Sequence, residues 1–584
     1  MHRFSVWAPR ASAVDLILPA DERRLPMHVD GDSRWTLDVA DAGHGTDYGF
    51  SLDGGRPLPD PRSPWQPAGV HAPSRVFDTS RHAWQDGGWR GRSALGGVFY
   101  ELHIGTYTPQ GTLDAAASRL DHLVELGVDV VEVMPVAAFD GRWGWGYDGV
   151  DLYAVHEPYG GPAALQRFVD ACHRRGLAVC LDVVYNHVGP SGNYLGEFGP
   201  YFTGGHTTPW GDAANLDDEG CEHVRRWIVD NALRWFADFH LDALRLDAVH
   251  ALVDDSPRHL LAQLSDESAA LSARLGRPLS LVAESDLNDP RMIEPTSAGG
   301  LGMTAQWSDD LHHALHAWLT GETQGYYVDF GSVEDVARTL TRVFRHSGGY
   351  STFRGRTWGR PVDPARHRGH RFLGYLQDHD QVGNRARGDR ISASVSVGRQ
   401  AVGAALSMAS AFTPMIFMGE EWAASTPWRF FTDFPDPALG AAVREGRRSE
   451  FARYGWNVAD VRDPQDSATR DASVLDWTEL GTQPHARVLA WYRALTALRR
   501  DAPDLQADDL REVRVETGPD RLTMRRGGLD VHVNIGPSAQ QFPAPAAAEV
   551  LLAWGRVEIA EGVLVLPPDS VAIVRRGASS GAAS

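Results

Sequence analysis

Apolar and polar positions follow two patterns along the chain, and the pattern changes near residue 98. Before that point, short runs such as RFSVWAP, AVDLIL and RWTLDV are separated by Gly, Pro and Asp turns. This spacing is typical of a small β-sandwich. After residue 98, apolar strand-like runs alternate with longer amphipathic stretches. That alternation predicts repeated βα units and a parallel sheet.

Eight strand-like runs follow one another in this second part. They begin near residues 98, 128, 177, 241, 279, 303, 372 and 414. Eight βα units close a barrel. The predicted fold class is therefore α/β, a (β/α)8 TIM barrel flanked by an N-terminal β-sandwich and a C-terminal β-domain, because short strands such as REVRVET and DVHVNI return after the barrel.

Turn-rich segments set the predicted domain boundaries. A Pro-rich connector at 56–69 and a Gly-rich stretch at 87–97 end the first domain. The segment at about 189–219 is rich in Gly, Pro, Asn and Trp and is too irregular to be only a crossover helix. The predicted units are the sandwich at 1–92, the barrel at 93–504 with a loop subdomain at about 189–219, the C-terminal domain at 505–576 and a disordered tail at 577–584.

One uncharged segment, Ala401 to Gly419, approaches the length of a membrane span. It contains Ser407, Ser410, Thr413 and Pro414, and its residues divide into a small-residue helix and a short strand, PMIFMG. We therefore expect a buried helix and strand here and no association with a membrane.

Charge and cysteine content narrow the function. The 76 acidic side chains exceed the 56 basic ones, giving a net charge of -20, which would repel nucleic acid. A neutral sugar would meet no such repulsion, and some of the 19 Trp residues could stack on it. The three Cys residues cannot all pair, and the N-terminus lacks the sustained apolar run of a secretory signal. These features predict a cytoplasmic protein.

Polar residues cluster where the predicted strands end. They are Asp182, Asn186 and His187 after the third strand, Arg245, Asp247 and His250 after the fourth, Glu284 after the fifth, and His379 and Asp380 after the seventh. A single carboxylate at a strand end is more often a loop cap or an ion-pair partner. Several together favour function, because burying neighbouring carboxylates is costly unless their perturbed acidities are used.

Cleavage of an acetal explains these residue types. One group must protonate the leaving oxygen and another must support the oxocarbenium-like centre, so two carboxyls are the minimum. Strand alternation places Arg245 and Asp247 on one inward face, which makes Asp247 the predicted nucleophile. Glu284 follows an apolar strand, where ionisation is disfavoured, and suits a general acid. A third carboxylate would help to keep that acid protonated.

Four ordered stretches resemble the conserved regions of the α-amylase family: DVVYNH at 182–187, LRLDAVH at 244–250, VAES at 282–285 and QDHDQVGN at 377–384. The resemblance covers the barrel and both flanking domains. It implies that Asp247 is the nucleophile, Glu284 the proton donor and Asp380 the transition-state stabiliser. It also implies that His187, Arg245 and His379 contact the sugar at the cleavage point. Tyr147 in GWGYDGV resembles the stacking aromatic of the family, with core packing as the alternative.

Other stretches resemble a branch of the family that acts on maltooligosyltrehalose and releases trehalose. They are AESDLNDPR at 283–291, QWSDDLHH at 306–313 and DFPDPALGAAVREGRRSEF at 433–451. The resemblance implies an oligosaccharide substrate whose leaving-group side is read by polar groups near the sixth strand. The expected substrate-binding residues are Tyr147, His187, Arg245, His250, Asn288, Trp307, Asp309, Asp310, His379, Asn384 and Arg385. Helix capping or loop packing is an equal alternative for Asn288, Trp307, Asp309 and Asp310 taken singly.

Three alternatives stay open, and one of them is another glucan hydrolase of the α-amylase family. A glycogen branching enzyme would share the layout and the three carboxylates but transfer the glycosyl group to a sugar hydroxyl. A non-catalytic glucan-binding protein would share the sandwich, although the presence of all three carboxylates argues against it. We expect no cofactor and no metal: Asn186 resembles a calcium ligand of some amylases, but the 189–219 loop offers no clear set of partner ligands.

Overall fold

Eight parallel strands, named β1 to β8 in chain order, close into a barrel. The computed structural model describes residues 1–453, 456–545 and 547–577, so the predicted disordered tail lies outside the described residues from 578 onward. Each strand pairs with the next, and β8 pairs with β1. The strands are β1 Phe99–Leu102, β2 Val130–Val133, β3 Ala178–Val183, β4 Ala243–Leu246, β5 Ser280–Ala283, β6 Ala305–Trp307, β7 Phe372–Tyr375 and β8 Thr413–Phe417. The predicted eight-strand barrel is confirmed.

α-Helices follow seven of these strands, but the β5–β6 connection differs. That connection contains only two 3-10 turns, Pro290–Met292 and Thr296–Ala298. Its sequence, DPRMIEPTSAGG, places two Pro and two Gly residues where a helix would lie. The α-helices described are Ile104–Tyr107, Leu113–Ala117, Leu120–Leu126, Gly161–His173, Leu195–Phe198, Cys221–Asp238, Leu260–Leu275, Asp309–Thr320, Val333–Arg342, His379–Gly383, Val397–Ala409, Pro437–Arg453, Ser467–Asp471, His485–Asp501 and Pro503–Gln506.

Side-chain alternation along the strands builds an apolar layer inside the barrel and a polar layer above it. Residues of the apolar layer include Phe99, Val130, Cys180, Ala243, Val282, Trp307, Tyr375 and Met415. Two residues further along β1 to β4, the same inward face carries Glu101, Glu132, Asp182 and Arg245, all buried. The polar layer therefore lies toward the C-terminal mouth of the barrel, where the βα loops converge.

Two β-rich regions flank the barrel, as predicted. The N-terminal region contains one sheet of His2–Trp7, His28–Val29 and Arg34–Val39, and another of Val14–Leu18, Arg23–Pro26, Asp47–Leu52, Pro57–Leu58 and Ser74–Arg75. The C-terminal region has a sheet of Val513–Gly518, Arg521–Arg526, Leu529–Asn534, Glu549–Trp554 and Ser570–Arg575, and a smaller sheet of Gln540–Pro543, Glu558–Ala560 and Val563–Leu566.

Three short strand pairs lie in the barrel loops. They are Ala137–Ala138 with Asp151–Val155, Phe202–Thr208 with Gly211–Ala214, and Gly349–Ser351 with Arg356–Trp358. The second pair and the helix Leu195–Phe198 fall within the segment predicted as a loop subdomain.

The uncharged segment near residue 401 is a buried helix followed by a barrel strand. The helix Val397–Ala409 packs on the barrel, and the strand β8 begins at Thr413. Among the described residues, no helix combines the length and apolar character that crossing a membrane requires. The predicted division of this segment into a helix and a strand is confirmed.

Candidate active site

Arg245 lies at the centre of the polar layer and contacts three carboxylates. Its Nη1 donates to Oδ2 of Asp182 at 2.7 Å and to Oδ1 of Asp247 at 2.9 Å. Its Nη2 lies 3.4 Å from Oε2 of Glu284. The guanidinium is completely buried and stacks over the ring of Trp307, 4.5 Å from its centroid. The structure thus brings together Asp247, Glu284 and Arg245 as the sequence predicts.

Asp247 is held from both of its carboxylate oxygens. Arg245 donates to Oδ1, and Nδ2 of Asn186 donates to Oδ2 at 2.8 Å. The side chain keeps 12% of its surface exposed, so it can be reached from the barrel mouth. Two donors on opposite oxygens fix the orientation of this carboxylate.

Glu284 is hydrogen-bonded to the backbone of the loop that follows β4. Its Oε2 accepts a short hydrogen bond from the backbone N–H of Ala248, the residue after Asp247. Burial, together with the negative charges of Asp247 and Asp380, raises the pKa of Glu284 to about 8, although Arg245 opposes this. The carboxyl group is therefore protonated at neutral pH and can donate a proton.

His379 and Asp380 stand on the other side of the mouth, at the start of the helix after β7. Nε2 of His379 lies 2.8 Å from the hydroxyl of Tyr147 and 3.6 Å from Oδ1 of Asp380. The Tyr147 ring stacks on that of His379, and its hydroxyl donates to Asp182 at 2.6 Å. Asp380 is 42% exposed and therefore open to a ligand.

His187 lies beside Tyr147 and extends the site toward the predicted loop subdomain. Its Nε2 lies 3.0 Å from the backbone carbonyl of Tyr147, and its Nδ1 makes a short contact with Oδ1 of Asn186. The indole of Trp210, which is 50% exposed, stacks on the imidazole with 4.6 Å between ring centroids. We did not predict Trp210 individually, because nothing in the sequence indicates which Trp of the loop faces the site.

The four residues expected on the leaving-group side have unequal environments. Trp307 is buried against Arg245. Asp309 is partly exposed and accepts a short hydrogen bond from the hydroxyl of Tyr375. Asp310 is buried, and its Oδ2 accepts from Nδ2 of Asn288 at 3.0 Å and from two backbone N–H groups, those of residues 345 and 346. Asn288 and Asp310 therefore brace the wall of the site.

The remaining predicted contacts are dispersed. Asn384 donates to Oδ1 of Asp380 at 3.2 Å, and both Nη atoms of Arg447 donate to Oδ1 of Asn384 at 3.0 Å. Arg385 is instead engaged in ion pairs with Glu322 and Asp389, at 2.7 and 2.9 Å. His250 is exposed in a 3-10 turn beyond Asp247. The structure thus brings Asn384 into the site, whereas Arg385 is engaged elsewhere.

A possible metal-ligand group lies away from these carboxylates. Ligand atoms of His206, Asp217 and Asp255 come within 4.8 Å of one another. Oδ2 of Asp217 already lies 3.0 Å from Nε2 of His206 and accepts from the backbone N–H of Asp255 at 2.8 Å. Asn186, which resembles a calcium ligand of some amylases, donates through Nδ2 to Asp247 and makes a short contact through Oδ1 with His187.

Two protein families match stretches of the chain. The catalytic domain of alpha amylase matches residues 73–199, and carbohydrate-binding module 48, the isoamylase N-terminal domain, matches residues 1–65. A crystal structure of a Salmonella typhimurium protein, provisionally assigned as an alpha amylase, superposes with a TM-score of 0.90 at 38% identity, covering 98% of this chain and 97% of that one.

Sequence similarity separates the two enzymes considered above. The malto-oligosyltrehalose trehalohydrolase of Arthrobacter ramosus is 53% identical over 98% of this chain and 99% of its own length. A 1,4-alpha-glucan branching enzyme of Vibrio parahaemolyticus is 33% identical over only 53% of this chain and 46% of its own length. The chain belongs to the malto-oligosyltrehalose trehalohydrolases, within the α-amylase family of glycoside hydrolases.

Proposed function

We propose that the chain hydrolyses the α-1,4 bond between a maltooligosaccharide and its terminal trehalose unit, with retention of configuration. One observation carries the catalytic part of this proposal: a single buried guanidinium, that of Arg245, contacts both Asp247 and Glu284. Family membership supports the substrate. A neutral oligosaccharide also suits a chain with a net charge of -20.

In the first step, Asp247 acts as nucleophile and Glu284 as acid. A carboxylate oxygen of Asp247 forms a bond to C1 of the glucose at the cleavage point while the bond from C1 to the trehalose oxygen breaks. Glu284 gives its proton to that oxygen, so trehalose leaves as a neutral alcohol. Asp247 is held in place by its two donors, and Glu284 is protonated because burial raises its pKa to about 8.

In the second step, Glu284 acts as base. Its carboxylate takes a proton from water, the water oxygen bonds to C1, and the bond between C1 and Asp247 breaks. Asp247 is released as a carboxylate, Glu284 is again protonated, and the maltooligosaccharide leaves as the α-anomer. Asp380, exposed beside His379, is placed to bind sugar hydroxyls through both steps.

On the leaving-group side, Asp309 is our candidate for reading the trehalose hydroxyls. It lies at the end of β6, is partly exposed, and keeps acceptor capacity beyond its contact with Tyr375. Asn288 and Asp310 support this wall from behind through their mutual hydrogen bond. Trp307 fixes the Arg245 guanidinium. The role proposed for Asp309 separates this enzyme from one that accepts maltose on that side.

Product analysis tests the proposal. Purified protein should release free trehalose from maltooligosyltrehalose and should cut a maltooligosaccharide of equal length far more slowly. Proton NMR of the early product should show the α-anomer. Formation of α-1,6 branches in amylose would instead identify a branching enzyme. Release of maltose without trehalose would leave the carboxylate assignments standing and remove the trehalose-specific part.

A cytoplasmic location is part of the proposal. It is supported by three free cysteines, of which Cys172 and Cys180 are completely buried as thiols within the barrel domain, consistent with a reducing compartment. Cell fractionation with activity assays tests it, and trehalose-releasing activity in the medium of intact cells would contradict it.

A further inference from the structure

Glu101 is a buried glutamate in the middle of β1 that both binds and orients His379. Its Oε1 lies 2.5 Å from Nδ1 of the His379 ring, and its Oε2 accepts from the His379 backbone N–H at 3.0 Å. Neither side chain has more than 1% of its surface exposed. Burying a carboxylate completely is costly, so these two contacts to His379 indicate the role of the Glu101 carboxyl.

Counting protons along the neighbouring contacts fixes the charge of the ring. Tyr147 has one hydroxyl proton, and it donates that proton to Asp182 at 2.6 Å. The same oxygen must therefore accept from Nε2 of His379, which lies 2.8 Å away. Nδ1 faces the Glu101 carboxyl at 2.5 Å and also carries a proton when that carboxyl is ionised. Both ring nitrogens are then donors, which only an imidazolium provides.

We propose that Glu101 is a positioning residue that holds His379 as a doubly protonated imidazolium facing Asp380 and the substrate. This inference rests on the proposed glycosidase function. The cation keeps an N–H donor on Nε2 for the Tyr147 hydroxyl and brings a fixed positive charge to 3.6 Å from Oδ1 of Asp380, the carboxylate that is open to the sugar. A neutral histidine could adopt the other tautomer and lose this donor.

The groups around the ring agree with this charge. Those that face it from the surrounding elements are Glu101 on β1, Glu132 on β2, His103 and Tyr147 in the following loops, Asp182 on β3, Arg245 on β4, and Asp378 and Asp380 beside it. Burial alone would lower the pKa of His379, but the charges of Glu101 and Asp380 outweigh it and raise this pKa to about 10. Burial and the charge of Glu101 raise the pKa of Glu132, which favours its neutral form.

Two variants and one control test the proposal. Glu101→Gln removes the negative charge but keeps the size of the side chain, and Glu101→Asp keeps the charge. Glu132→Gln is the matched control, because Glu132 is equally buried on the next strand and makes no hydrogen bond to His379 in the described structure. With maltooligosyltrehalose, Glu101→Gln should lower kcat about 10- to 100-fold with little change in KM.

The shape of the pH profile separates positioning from a general structural role. In Glu101→Gln, His379 should lose its second ring proton as the pH rises through the ordinary histidine pKa of about 6.5. kcat should therefore decline above that pH. Glu101→Asp and Glu132→Gln should keep the wild-type shape. A Glu101→Gln enzyme whose loss is uniform across pH would overturn the proposal.

A measurement that needs no activity covers the case in which the variants fold poorly. In wild-type protein labelled with 15N-histidine, the His379 signals, assigned by their loss in His379→Gln, should show two protonated ring nitrogens at pH 8. A neutral His379 at that pH would refute the inference whatever the substrate. Failure of the wild-type enzyme to release trehalose would refute the proposed function and leave the charge state measurable.

Discussion

Asp309 and Asp310 are adjacent in sequence, but substituting them should have opposite kinds of effect. The Asp309 carboxylate is partly exposed at the mouth. Asp310 is 2% exposed, and its Oδ2 accepts three hydrogen bonds. We therefore predict that Asp309→Ala changes substrate preference, whereas Asp310→Ala mainly changes stability.

The expected magnitudes follow from these contacts. A hydrogen bond between an ionised side chain and a sugar hydroxyl contributes about 1.5–3 kcal/mol. Losing one such bond to trehalose should therefore reduce the preference for the trehalose-ended substrate about 10- to 150-fold. In Asp310→Ala, two backbone donors and the Asn288 amide would lose their shared acceptor, and each unsatisfied donor costs about 1–3 kcal/mol of folding free energy.

The assay compares kcat/KM for maltooligosyltrehalose with kcat/KM for a maltooligosaccharide of equal length. It should be run at pH 7.5, because burial raises the pKa of Asp309 to about 6 and the carboxylate must be ionised. Denaturant unfolding measures the stability of both variants. Two results would contradict this reasoning: Asp309→Ala keeps the full preference, or both variants lose preference equally without loss of stability. Either would show that Asp309 and Asp310 do not divide trehalose binding and structural support between them.

Three further predictions concern the acid, its pKa and metals. Glu284→Ala should lose far less activity on aryl or fluoride glycosides than on the natural substrate, and azide should trap its intermediate; equal losses without an azide product would reassign the acid. In the wild type, the acid works only when protonated, so kcat/KM should be level just below pH 8 and fall tenfold per unit above it, because the pKa of Glu284 is raised to about 8; a fall with rising pH that begins near pH 5 would contradict this. Prolonged chelation should leave activity unchanged, and loss restored by calcium would direct attention to His206, Asp217 and Asp255.

The barrel and its polar mouth could be predicted because they depend on local patterns. Strand alternation alone places Arg245 and Asp247 on one face, and in the structure the Arg245 guanidinium donates to the Asp247 carboxylate. Glu101 also carried a signal that we did not use: a charged residue inside the apolar strand VFYELHIGTY has no local partner. Such a residue in a buried parallel strand indicates a partner from a distant strand.

The leaving-group side could not be resolved in the same way, because its contacts join residues far apart in the chain. Asn288 and Asp310 are 22 residues apart, and the backbone of residues 345 and 346 completes their network. By their polarity and their position near Glu284, Asn288 and Asp310 were equally compatible with binding sugar and with supporting the wall of the site. Only the three-dimensional structure shows that Nδ2 of Asn288 and Oδ2 of Asp310 are already hydrogen-bonded.

The unequal sharing of one cation can explain why two carboxyls of the same site take opposite roles. Arg245 lies 2.9 Å from Asp247 but 3.4 Å from Glu284, and Asp247 has a second donor in Asn186. Once Asp247 is negative, its charge adds to burial in keeping the proton on Glu284. When Asp247 becomes an ester, that charge disappears and Arg245 remains, so the acidity of Glu284 should increase at the step where it must act as a base.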